Sequence, residues 1–390
     1  MRRPRVAILS DLREEGWHAM DLVAEMLLLN LRTPEARAVD ATEVRPRLTP
    51  RLTRLPLLRS TAAADTADRI LNRVWDYPRW LAPQVAEYDL FHIVDHSYAH
   101  LARQLPAGRT VISCHDVDAF RGVLPGTHGG SLVERVLGRR LLEGMLSAQR
   151  ILCCTDATRK QLIASGVVKS DRVLVVPHGV HPACSPLADA LGDRDAAALV
   201  GEPDGNRVEL LHVGSTIPRK RIDVLLQVLA ALCSRYPQLR LIRVGGPFTT
   251  PQQRLVERLN LQDRIVAVPF VTPRVLSAIY RRAALLLQTS DREGFGLPVA
   301  EAMACGTPVV ASDLPALREV GGTSSTYAPV GEIDPWTSAV SALLDERSRD
   351  LESWQQRRRG GIDWARRFDW KVHTTATVAV YCQVLDAAQS

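Results

Sequence analysis

Two doubly wound α/β domains in tandem are what this sequence predicts, on three observations. Short apolar runs alternate with stretches of helical periodicity, the pattern of a parallel sheet covered by helices on both faces. The runs fall into two sets, separated between Pro182 and Asn206 by a stretch of Ala, Asp, Gly and Pro without strong pattern. A chain of 390 residues is also too long for one ordinary core and suits two.

Val6–Ser10 reads as the first buried strand. Trp17 to Leu31 reads as a helix, with Met20, Val23, Ala24, Leu27, Leu28 and Leu31 on one face. Strands are then expected at Leu90–Val94, Arg109–Ser113, Arg150–Cys154 and Arg172–Val176. These make a first domain at residues 1–181, followed by a linker with a short helix at 182–207. The second domain, 208–365, takes its strands from Val208–Val213, Arg240–Val244, Ile265–Val268, Ala284–Gln288 and Thr307–Ala311. Residues 366–390 read as a last helix. Ligands of such sheets lie beyond the carboxyl ends of the strands, and each motif discussed below follows a strand.

With 46% hydrophobic and 24% charged residues, the composition is that of a globular protein. No apolar run has the length of a bilayer span. The basic start of the chain meets Asp11 after a short apolar run, so it reads as a strand rather than a signal peptide. The seven cysteines are scattered and lack zinc-finger spacing, which fits reduced thiols and a cytoplasmic protein. The net charge of +6 comes from arginines, with Lys160, Lys169, Lys220 and Lys371 the only lysines, and the skew looks compositional. No nucleic-acid partner is read from it. One cluster stands apart: Arg32, Arg37, Arg45, Arg47, Arg51, Arg54 and Arg59, interleaved with Leu and Pro. It is either a contact for an anionic membrane surface or an acidic acceptor, or a solvated loop.

The most informative stretch is Ser290 to Ala311. Glu293 precedes a glycine-bracketed turn, Gly294-Phe295-Gly296, and Glu301 follows in the first turn of a helix begun by Leu297-Pro298-Val299. The glycines let backbone approach a ligand closely, and the helix start offers N–H groups to an anion. Two carboxylates flanking an anion site suit a molecule with sugars on both sides of a phosphate. The plain alternative is a tight strand–turn–helix whose carboxylates are solvated.

This stretch resembles the E-x7-E signature of the retaining GT-B glycosyltransferases of family 4. The resemblance implies two Rossmann-like domains facing a cleft, with the last helix crossing back to the first. It implies transfer of a hexose, with retention, from a nucleoside-diphosphate sugar to an acceptor hydroxyl. By that resemblance Glu301 holds the ribose and Glu293 the hexose, while Lys220 binds the diphosphate from the turn after Gly214. Ser215 stands where many relatives have an arginine, so Arg219 is the substitute second cation. The Ser113-Cys-His115-Asp116 segment resembles the family's His-Asp motif, which sets His115 against the donor sugar. Gly245 would line the nucleotide pocket and Phe270 would lie beside the base. Gly16 is what remains of a glycine pair in the loop that faces phosphate and acceptor. Neither a P-loop nor a dinucleotide G-x-G-x-x-G is present. With no Asp-x-Asp outside the His-Asp segment, no metal is expected, and no cofactor beyond the donor itself. The acceptor stays open among glycan, lipid carrier and small molecule. Two other readings stay open: a nucleotide-sugar-binding scaffold subunit of weak activity, and another GT-B activity such as an epimerase.

Overall fold

The computed structural model describes residues 2–59, 61–120, 122–124 and 131–389. The chain divides into two compact units, residues 1–178 with 370–390, and residues 179–369.

The first unit is built on six parallel strands: β1 (Arg5–Leu9), β2 (Asp40–Val44), β3 (Leu90–Ile93), β4 (Thr110–Cys114), β5 (Arg150–Cys153) and β6 (Val173–Val175), in the order β2-β1-β3-β4-β5-β6. Side chains alternate across a strand, and β1 shows the result. Ala7 and Leu9 join a core with Phe91, Ile93, Ile112 and Cys114. Val6 and Ile8 join a second core, on the other face, with Leu27, Leu31, Val380, Tyr381 and Val384. The last of these residues belong to the helix Trp370–Gln389, which therefore covers one face of the first unit's sheet. His92, fully buried on β3, ties the two together: Nδ1 lies 2.5 Å from the Tyr381 hydroxyl and Nε2 2.9 Å from that of Ser113. Burial pushes its pKa down to about 3.

The second unit has strands β7 (Val208–Val213), β8 (Leu239–Val244), β9 (Ile265–Val268), β10 (Leu285–Gln288), β11 (Val309–Ser312) and β12 (Thr326–Ala328), in the order β12-β11-β10-β7-β8-β9. This is the Rossmann order, reversing between β7 and β10. Its core is Leu210, Leu225, Leu229, Leu241, Leu285, Leu287 and Trp336 among others. The helix Ala190–Val200 in the stretch read as a linker belongs to this unit, held to the helix Pro273–Arg282 by the Arg281–Asp193 pair at 2.6 Å.

The sequence reading omits β2 and β12. Both are edge strands whose half-exposed residues, Asp-Ala-Thr-Glu-Val and Thr-Tyr-Ala, lack a continuous apolar run. All seven cysteines are free thiols, five of them buried. Among the described residues no helix is long and apolar enough to cross a membrane.

Candidate active site

The crevice of a doubly wound sheet opens at the carboxyl ends of the strands flanking its switch point. In the second unit those strands are β7 and β10. Gly214 follows β7, and Thr289 to Glu293 follow β10. Arg219 and Lys220 do not lie in the helix that follows β7. They lie on a 3-10 turn, Pro218–Lys220, which Arg221 ends in a left-handed conformation (φ 48°), and the helix proper starts at Ile222. The cations are thereby released from the helix axis and turned toward Glu293. Lys220 Nζ is 2.6 Å from Glu293 Oε1, and Arg219 Nη1 is 3.2 Å from Oε2. Gln288 Nε2 (2.5 Å) and the Ser290 hydroxyl (2.7 Å) also donate to Oε1. Burial alone would raise the Glu293 pKa, but the Lys220 ammonium and the Arg219 guanidinium outweigh it and hold the carboxyl at about 2. Glu293 is an anion at any working pH.

Glu301 is the opposite case. It lies in the helix Leu297–Ala304, which Gly296 caps at φ 90°, with Pro298 at its second position. The residue is 5% exposed, and its one donor among the described residues is the Tyr280 hydroxyl, at 2.9 Å from Oε2. Burial raises its pKa to about 7. A buried carboxylate with unused acceptor capacity suits hydroxyl donors from a ligand. A ligand diol that donates to Glu301 favours the ionised form, so binding near pH 7 releases a proton. Affinity is therefore expected to strengthen as pH rises from about 6 to 8. Calorimetry of nucleoside diphosphate binding in two buffers of different ionisation enthalpy checks this, and Glu301→Gln should abolish the buffer dependence.

Around these residues, Phe295 is buried with its ring edge-on to Phe368 at 5.5 Å, so its backbone rather than its ring is available to a ligand. Leu297 and Pro298 are half-buried and Val299 is buried. Phe270, after β9, is 43% exposed. The turns after β7 and β8 touch: a Cβ on Gly245 (φ 146°) would lie 1.9 Å from the Gly214 carbonyl oxygen. Ser215, half-buried, supplies no charge there.

The missing cation has a counterpart that the sequence reading passed over. Arg243 on β8 is fully buried, yet no carboxylate pairs with it among the described residues. Its Nη2 donates to the Gly214 carbonyl at 2.9 Å, its Nη1 donates to that of Gly246, and its guanidinium lies 5.1 Å from the Phe248 ring. Burial lowers its pKa to about 10, so it stays charged. Beneath Gly214, His212 is fully buried with neither ring nitrogen partnered, and burial, then Arg243 and Lys220, keep it neutral with a pKa of about 3. An arginine inside the apolar run Leu-Arg-Leu-Ile-Arg-Val was the signal available in the sequence.

His115 belongs to the first unit, directly after β4. Its Nε2 donates to the Val94 carbonyl at 2.6 Å, which leaves Nδ1 to accept from His178 Nε2 at 3.1 Å. It is 8% exposed, and burial lowers its pKa, so the ring is neutral. Cys154 Sγ donates to the His115 carbonyl at 3.3 Å. His115, Cys154 and His178 are the one group among the described residues whose ligand atoms, within 4.8 Å of one another, could hold a metal ion. Gly16 ends the turn Arg13–Glu15 at φ 71°.

The first unit's own switch point, between β1 and β3, carries a pair that sequence reasoning missed. Asp11 is 2% exposed, and among the described residues no donor reaches either carboxyl oxygen. Burial and the neighbouring Asp95 raise its pKa, so it holds a proton. Asp95 is buried too, but His96 at 3.1 Å and the Ser97 hydroxyl at 2.5 Å keep it ionised. His96 is disfavoured as a cation by burial, yet Asp116 and Asp95 raise it to about 10.

Two Rossmann-like units with a carboxylate and cation site at the β7/β10 switch point define the GT-B class of α/β fold. Anabaena HepE, solved with UDP and glucose, superposes on 98% of this chain with a TM-score of 0.72 at 16% identity, over the whole of that chain. Sucrose-phosphate synthase of Thermosynechococcus elongatus gives 0.75 at 19% identity over 99% of this chain and all of its own. Residues 18–183 match Glycosyltransferase Family 4, and residues 194–359 match Glycosyl transferases group 1. O-antigen chain mannosyltransferase B of Escherichia coli is 31% identical over 284 residues, 70% of each chain. A D-inositol 3-phosphate glycosyltransferase of Kineococcus radiotolerans is 33% identical over 63% of this chain, which spans 59% of that protein's length. The chain belongs to the family 4, or group 1, glycosyltransferases.

Proposed function

We propose that the protein transfers a hexose, with retention, from a nucleoside-diphosphate sugar to an acceptor hydroxyl. The observation that carries this is the buried charge of Arg243, without a carboxylate partner among the described residues, against the Gly214 turn that the Lys220 side chain also flanks. A guanidinium without a counter-ion in a core is costly, and a bound diphosphate offsets that cost. Lys220 and Arg243 bind the leaving diphosphate, helped by the backbone N–H groups of Gly296 and Leu297. Arg219 steadies Glu293. Glu301 takes the ribose hydroxyls, Glu293 faces the hexose, and His115 contributes from the first unit as a neutral ring. The acceptor hydroxyl is handled by the Asp11–Asp95 pair, one carboxyl protonated and one ionised. That combination both donates to and accepts from a polyol.

The charge a metal would supply to the diphosphate comes from Lys220 and Arg243 in this reading. Turnover is therefore expected to survive a chelator unchanged. Loss with chelator and recovery with manganese or magnesium would refute it. UDP is the first base to test, from the likeness to HepE, against GDP and ADP in a thermal-shift panel, where the preferred ligand raises the melting temperature by mass action. Slow nucleotide release from the matching sugar donor separates an enzyme from a scaffold that only binds. We also place the protein in the cytoplasm, in peripheral contact with the inner face of a membrane.

A further inference from the structure

The arginine cluster of the first unit divides in the structure. Arg45 is taken up by Asp21 at 2.6 Å and Glu43 at 2.9 Å, and Arg51 by Asp76 at 2.5 Å. Arg47, Arg54 and Arg59 have no ion-pair partner among the described residues. Residues 45–80 hold eight arginines and three aspartates, a net +5 in a chain of net +6. The charge is thus local to one segment rather than spread over the protein.

That segment is also where large apolar side chains stand out. Leu57 is 94% exposed, Trp75 58%, Leu55 49% and Trp80 40%. Scattered exposed apolar residues need no account, but several together with unpaired cations do. The loop that carries them is fastened down. Asp68 accepts the backbone N–H groups of Arg51, Leu52 and Thr53 at 2.9–3.0 Å, and Asn72 exchanges two bonds with Thr49, at 2.6 and 2.9 Å. Loop 46–51 and residues 72–80 border a pocket of about 310 Å³ whose lining includes Arg47, Arg79 and Trp80 together with Arg51 and its partner Asp76. Arg79 lies against the Trp75 ring, 3.2 Å from its centre. Cations around a small pocket lined by Trp80, in a segment that also exposes Leu55, Leu57 and Trp75, match a bilayer interface, where phosphates and acyl chains meet. A nucleic acid would use the cations but not the bare leucines.

We infer that this face, the 46–59 loop with Trp75 to Trp80, docks on an anionic phospholipid bilayer, with a headgroup phosphate seated between Arg47 and Arg79. The inference rests on the peripheral-membrane reading above and names the surface and lipid charge responsible. It is tested by co-sedimenting the full chain with vesicles of phosphatidylcholine alone and with about one third phosphatidylglycerol. Binding to the anionic vesicles only is expected, weakening as salt rises. Each arginine near such a surface is worth about fivefold in partitioning, so Arg47→Gln with Arg54→Gln and Arg59→Gln should cut it on the order of a hundredfold. Leu57→Ser should lower it independently of salt. The melting temperature and nucleoside diphosphate affinity of these variants should stay at wild-type values, since none of the four residues is placed in the donor site. If the wild type ignores both vesicles, the membrane reading and this surface fall together. If the wild type binds and the triple variant binds as well, another face makes the contact and this assignment alone is wrong.

Discussion

Replacing Glu293 by glutamine is expected to lower transfer about a hundredfold, the usual scale for losing one preorganised charge beside a reacting centre. Nucleoside diphosphate should bind at least as tightly as before. The reason lies in the contacts of the free protein. Glu293 occupies Lys220 Nζ at 2.6 Å and Arg219 Nη1 at 3.2 Å, so its carboxylate competes with phosphate for the same cations. Glutamine keeps the volume, removes the competitor and removes the charge next to the sugar. The loss should appear in kcat rather than KM, the signature of an interaction used in the transition state. His115→Ala should show the same separation of binding from turnover. A Glu293→Gln protein that turned over like wild type would reduce this residue to a counter-ion for Lys220 and Arg219.

Lys220→Ala and Arg243→Met should do the reverse, weakening nucleoside diphosphate binding tenfold to a hundredfold each. That range is the worth of a hydrogen bond to a charged group, about 1.5–3 kcal/mol. Arg243→Met is the sharper test. Methionine fills much of the same space, so two carbonyl bonds are lost while a buried unpaired charge is relieved, and stability should change little. Calorimetry with UDP and with uridine separates charge from packing: only the phosphate-bearing ligand should lose affinity. Equal loss for both ligands would make Arg243 a brace for the Gly214 and Gly246 turns and nothing more.

Much of the fold was legible because ten of the twelve strands are apolar runs, and buried parallel strands have no other way to read. β2 and β12 escaped because these two edge strands carry polar residues, whereas the edge strands β6 and β9 keep apolar runs. The candidate site was legible where it depends on local chain geometry. The Glu293 to Glu301 spacing, the intervening glycines and Lys220 lie in short segments whose turns follow from their residues. What could not be read are meetings of residues distant in sequence. Arg243 looks like one more arginine until β8 pairs beside β7 and its guanidinium reaches the Gly214 carbonyl. Asp11 looks like the end of an apolar run until β3 brings Asp95 next to it. The pairing of Glu293 with both cations was equally hidden, since 73 residues separate it from Lys220.

The first unit draws on both ends of the chain, and this sets the order in which the protein can be completed during synthesis. Val6, Ile8, Leu90 and Val111 are translated before the second unit, yet Tyr381 and Val384, which cover them, are made after it. All of residues 179–369 emerge in the interval, so the second unit can close its core first. Of the two units, the one begun first is closed second, with one apolar sheet face waiting for its lid. Nascent chains stalled before Trp370 would present that face to chaperones, and a lesion in the helix Trp370–Gln389 would be felt as a folding defect of the first unit.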